Sequence, residues 1–70
     1  MKLLIVVEKT RSGFSAFSPD LPGCIATGRT RAAVEREARK AVALHLEGMR
    51  REGLDVPSPR SYATYVEVAA

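Results

Sequence analysis

Apolar side chains fill residues 3–7, Leu-Leu-Ile-Val-Val, between Lys2 and Glu8. A short unbroken run rich in branched residues predicts a strand over residues 2–8 that is covered on both faces and central in its sheet. Thr-Arg-Ser-Gly at residues 10–13 supplies a turn, after which the chain alternates weakly over residues 14–18. Phe14 and Ala16 face one side of this second strand, and Ser15 and Phe17 the other. Residues 18–24, Ser-Pro-Asp-Leu-Pro-Gly-Cys, then interrupt the alternation with two prolines and a glycine. Pro22 suits the fixed φ of the second turn position and Gly23 the positive φ of the third, the signature of a type II turn. A third strand follows over residues 24–28.

From Thr30 the apolar period lengthens from 2 to about 3.6, the helical repeat. Val34, Ala38, Ala41, Val42, His45 and Met49 fall on one stripe, with Leu46 at its margin, and this stripe is expected to face the core. Arg36, Arg39, Lys40, Glu47, Arg50 and Arg51 fill the opposite side, where Glu35 with Arg39 and Glu47 with Arg51 stand four residues apart in the favourable order. Thr30 is the expected N-cap. Gly53 suits the left-handed position just past the helix end, with Leu54 after it able to reach back toward Met49.

Residues 55–60, with Pro57 and Pro59, cannot continue a helix and read as an extended connector. Residues 62–69 carry the β-branched and aromatic side chains of a last strand. The order predicts an α+β fold, a single β-β-β-α-β domain over residues 1–70. Three strands form an antiparallel meander, and the helix crosses over, right-handed, to lay a fourth strand beside the first and parallel to it. One helix covers one face of such a sheet. The other face or an edge strand is left as a contact surface.

A chain of 70 residues is one small domain, and a domain of this size buries only about 60% of its unfolded surface. Self-association is therefore expected. A hydrophobic fraction of 46% with 27% charged residues is that of a globular chain, without low-complexity tracts. The single cysteine, Cys24, excludes an internal disulfide and a multi-cysteine zinc site, and fits the reducing cytoplasm. The apolar run near the N-terminus is too short for a signal peptide, and no stretch approaches the roughly 18 residues that span a bilayer. No membrane partner is expected.

The residue inventory holds little catalytic chemistry. Cys24 and His45 are the only residues of their kinds and in principle pair as nucleophile and base. His45 falls within the helix's apolar stripe, however, and a cysteine at a strand start commonly packs as a small hydrophobe. One His and one Cys are too few for a metal site, and no cofactor is expected. Asp20 reads as a turn-organising side chain within Pro-Asp-Leu-Pro-Gly. The basic helix face, with Arg36, Lys40 and Arg51, offers an alternative function in nucleic-acid binding. Its cations are interleaved with glutamates, and only Tyr62 and Tyr65 are tyrosines available for stacking.

Pro19 to Cys24, followed at fixed spacing by Gly28, Thr30, Ala33, Ala38, Ala41, His45, Leu46, Glu47, Gly53, Pro57 and Pro59, resembles the amino-terminal domain of HicB-type antitoxins over nearly the whole chain. The resemblance implies a partial ribonuclease-H-like fold without a nuclease's acidic metal site. It also implies a noncatalytic module that masks the active surface of a small HicA-type ribonuclease toxin, an enzyme that cleaves messenger RNA. Many such antitoxins carry a carboxyl-terminal DNA-binding segment. With Ala70 directly after the expected fourth strand, DNA binding is not expected of this polypeptide. A net charge of +3 facing a basic toxin requires local acidic contacts. The expected partner-binding residues are Glu8, Asp20, Leu21, Pro22 and Glu67.

Overall fold

The computed structural model describes residues 1–70. Three strands precede one helix: β1 (Val6–Lys9), β2 (Phe14–Phe17), β3 (Ile25–Gly28) and α1 (Arg31–Arg51). The sheet order is β1-β2-β3 and both pairings are antiparallel, as the short turns require. Register aligns Val7, Ala16 and Ala26 in one row and Val6, Phe17 and Ile25 in the next. Neighbouring rows face opposite sides of a sheet. The Ala16 row lies under α1, with Ala16 only 1% exposed, while the Phe17 row faces outward.

Both ends of α1 follow their local chemistry. Thr30 Oγ1 accepts a hydrogen bond from the Ala33 amide at 3.0 Å, satisfying one of the orphan donors of the first turn. At the other end Gly53, at φ +70°, donates to the Arg50 carbonyl at 3.1 Å and Leu54 donates to the Met49 carbonyl at 2.9 Å. This pair of bonds is a Schellman motif. Gly28 sets how closely α1 approaches the sheet: a Cβ there would lie 2.5 Å from the Val34 amide nitrogen and 2.8 Å from its Cα.

Two apolar clusters hold α1 to the sheet. Ala16, Val34 and Ala38 form one, supported by Ile5, Phe14 and Ala26. Leu21, Cys24 and Leu46 form the other, supported by Leu3, Val42, Met49 and Val56 among others. Leu46 thus lies at the centre of the helix's buried stripe rather than its margin, and His45 is only half-buried. Of the two expected helical ion pairs, Glu47 with Arg51 forms at 2.6 Å, whereas Lys40 pairs with Glu37 at 3.6 Å and no Glu35–Arg39 bridge forms.

Two expectations about the sheet differ from the structure. Residues 62–69 form no fourth strand, and the parallel placement beside β1 is not made within the chain. Tyr62, Tyr65, Val66 and Val68 are instead 84%, 98%, 79% and 75% exposed on an extended tail. β1 is accordingly an edge strand rather than a central one, and its regular pairing begins only at Val6. The physical reason is common to both: sequence gives a segment its preference for extended backbone, but a strand exists only when a neighbour takes up its amide and carbonyl groups. The projecting tail leaves the molecule 48 Å long with a radius of gyration of 13.8 Å, against about 11 Å for a compact chain of this length.

Candidate protein-binding surface

The Ser18–Cys24 loop consists of two consecutive turns. The Leu21 amide donates to the Ser18 carbonyl at 3.1 Å, the Cys24 amide to the Leu21 carbonyl at 3.1 Å, and the Ser18 amide closes the loop onto the Cys24 carbonyl at 3.4 Å. Gly23, at φ +84°, supplies the conformation that the Pro-Gly turn demands. The turns aim Leu21 inward, where it is 1% exposed against Cys24 and Leu46. Leu21 is therefore a core residue and presents no side chain to a partner, contrary to the expectation from sequence.

Asp20 points toward the connector that follows α1. Its Oδ2 accepts from the Arg60 amide at 3.2 Å and the Ser61 amide at 3.3 Å, and its Oδ1 accepts from the Ser61 hydroxyl at 3.1 Å. Partial burial opposes the charged form, but these hydrogen bonds and the nearby Arg60 charge outweigh it and hold the carboxyl below its ordinary value. Asp20 is thus an anchor for the chain's exit rather than a local turn organiser. Its partners Arg60 and Ser61 carry no sequence signal, because they lie 40 and 41 positions away from it.

The outward face of the sheet is left uncovered. Val6, Phe17 and Ile25 form an apolar row across all three strands, Phe17 being 40% and Ile25 66% exposed, with Glu8, Ser15 and Thr27 in the next row on the same face. Beyond Ile25 the surface continues along the β3 edge to Leu44, which is 72% exposed, and to Glu37 and Lys40. The alternation that set Phe17 opposite Phe14 was the sequence signal for this face. Leu44, just outside the helix's buried stripe, carried none.

Of the remaining candidates, Glu8 is exposed on the outward face, Pro22 is exposed at the loop tip, and Glu67 is exposed on the tail. Arg36, Lys40 and Arg51 are exposed on α1, but Lys40 and Arg51 are each already paired with a glutamate. Cys24 is buried, and burial pushes its thiol above the ordinary value, which disfavours the nucleophilic thiolate. No three His, Cys, Asp or Glu side chains come together as a metal site. No helix is long and apolar enough to cross a membrane. The surface offers apolar contact with a charged border, the anatomy of a protein interface.

Comparison with known proteins places this geometry. The family model described as HicB-like antitoxin of bacterial toxin-antitoxin system matches residues 3–69. An uncharacterized 14.9 kDa protein in the rep-hol intergenic region of Haemophilus phage HP1 (strain HP1c1) is 31% identical over 62 residues, covering 89% of this chain and 47% of that protein. The chain thus spans about half the length of that curated relative. Among solved structures, a chain of the HicA3 and HicB3 toxin-antitoxin complex superposes with a TM-score of 0.69 at 35% identity, over 84% of this chain and 72% of that one. The antitoxin HicB3 crystal structure gives a TM-score of 0.67 at 40% identity, over 79% of this chain and 40% of that one.

Proposed function

The chain belongs to the HicB-like antitoxins of bacterial toxin-antitoxin systems, and on that premise we propose that it is a noncatalytic, cytoplasmic protein-binding module. Its partner is a HicA-type ribonuclease toxin, neutralised when its active surface is covered. The observation that carries this reading is the uncovered apolar row Val6, Phe17 and Ile25, flanked by Glu8, on a sheet whose other face is filled by α1. The similarity to a chain of the HicA3 and HicB3 complex supports the choice of partner. With Leu21 buried and Asp20 engaged, the charged part of the contact falls to Glu8 and Glu67, with Pro22 at the rim. A direct nucleic-acid role for Arg36, Lys40 and Arg51 is the weaker reading, since two of these three cations are already neutralised by helix neighbours.

Only seven of 70 residues are buried, six of them apolar, and this small core supports self-association, with residues 62–69 serving as the fourth strand of a partial ribonuclease-H-like sheet. The functional test is co-expression with a small ribonuclease encoded beside the gene. Growth should be rescued and the two proteins should co-purify. Failure of both would remove the antitoxin reading.

A further inference from the structure

The open edge of β1 and the extended tail are two halves of one unmade contact. Leu3, Ile5 and Val7 line one wall of a cleft of ≈ 640 Å³, and Ala38, Val42 and Leu46 of α1 line the other. The cleft is open because β1 has no neighbour on that side, so a row of unpaired backbone groups runs along its rim. Residues 62–69 have the complementary properties. They are extended and unpaired, and period-2 alternation places Val66 and Val68 on one side with Tyr65 and Glu67 on the other. A strand laid along β1 with Val66 and Val68 inward would fill the cleft and satisfy the rim in the same step.

The tail does not do this for its own chain. Val56 packs in the cluster around Leu21, Cys24 and Leu46, and Asp20 ties down Arg60 and Ser61, so the exit is fixed before the tail begins. From that point the tail leaves the body, which accounts for the 48 Å long axis. Eight extended residues reach about 26 Å, enough to cross a neighbouring copy's β1.

We propose that residues 62–69 of one copy form the fourth strand along β1 of a second copy, seated in its cleft against α1, and that the exchange is reciprocal. The arrangement is self-complementary, since each copy offers one cleft and one tail, and it closes as a twofold dimer. It deepens the self-association reading above, on which it rests, and stands apart from the identity of the toxin. The Asp20 anchor fixes where each tail departs, so it positions the exchanged strand without touching it.

The test uses the full chain. Sedimentation at micromolar concentration should give a dimer. A mixed sample of isotope-labelled and unlabelled chains should give intermolecular NMR contacts from the Val66 and Val68 methyl groups to Ile5 and Val7. The double substitution Val66→Asp/Val68→Asp, at positions already exposed in the single chain, should preserve helical circular dichroism and weaken dimerisation by at least about 100-fold. A monomeric wild type would overturn both self-association and exchange. A dimer whose Val66 and Val68 contacts arise within one chain, or do not involve β1, would overturn exchange alone.

Discussion

Asp20 holds Ser61 through both carboxylate oxygens, one receiving the backbone amide at 3.3 Å and the other the side-chain hydroxyl at 3.1 Å. This joins the loop between β2 and β3 to the segment leaving α1, and so fixes where the apolar tail departs from the body. The contact makes stability depend on pH in a definite direction. The carboxyl is held below its ordinary value in the folded chain, so the unfolded chain binds the proton more readily. The stabilisation is present above the unfolded value, near pH 4, and is lost as pH falls through the folded one. Asp20→Asn should lower Tm at pH 6, and the gap to wild type should narrow progressively below about pH 4. A gap that stays constant to pH 2 would contradict the role assigned to the charge.

Gly28 is required by the approach of α1. An alanine Cβ would meet the backbone of Val34, which cannot swing aside as a side-chain tip can. Gly28→Ala should destabilise by about 1–3 kcal/mol, the usual cost of overpacking, measurable as a lower urea midpoint with an unchanged slope.

Thr30→Ala should cost about 1 kcal/mol, because the Ala33 amide loses its acceptor. Thr30→Ser keeps the oxygen and should lie within a few tenths of a kcal/mol of wild type. Thermal denaturation of the two variants side by side separates the cap from any effect of the threonine methyl group.

Cys24 should resist thiol reagents in the native protein. It is buried in the cluster with Leu21 and Leu46, and its thiol is harder to ionise than a free one. Its native reaction rate should be at least about 100-fold below that of the unfolded chain, because modification waits for local opening. Fast native labelling would reopen a catalytic role for this residue.

Phe17→Asp and Ile25→Asp place a charge on the outward sheet face without entering the core. Each should leave helical circular dichroism intact and weaken binding of the proposed HicA-type partner by at least about 30-fold, the loss expected of an interface anchor. Normal toxin binding by both variants would move the interface off this face.

What could be read from the sequence was whatever depends on neighbours a few residues apart. Pro22 and Gly23 specified their turn, Thr30 its cap, and Gly53 with Leu54 the helix exit, because these bonds close within one turn of chain. The helical stripe was legible for the same reason, with Leu46 displaced from margin to centre because the loop carrying Leu21 packs against it. The resemblance to HicB-type antitoxins was equally visible, since it rests on those local signatures at fixed spacing. Asp20 shows the boundary: its residue type announced hydrogen bonding, but its partners lie 40 and 41 positions away.

The sequence by itself determined the three-strand meander, the helix and both of its ends, and the extended preference of residues 62–69. The tertiary structure alone decided that β1 is an edge, that Leu21 is core and Asp20 an anchor, and that Leu44 extends the uncovered face beyond Ile25. Backbone preference is set residue by residue, whereas pairing and burial are properties of two segments at once. A tail with every quality of a strand therefore remains unpaired until a second edge meets it.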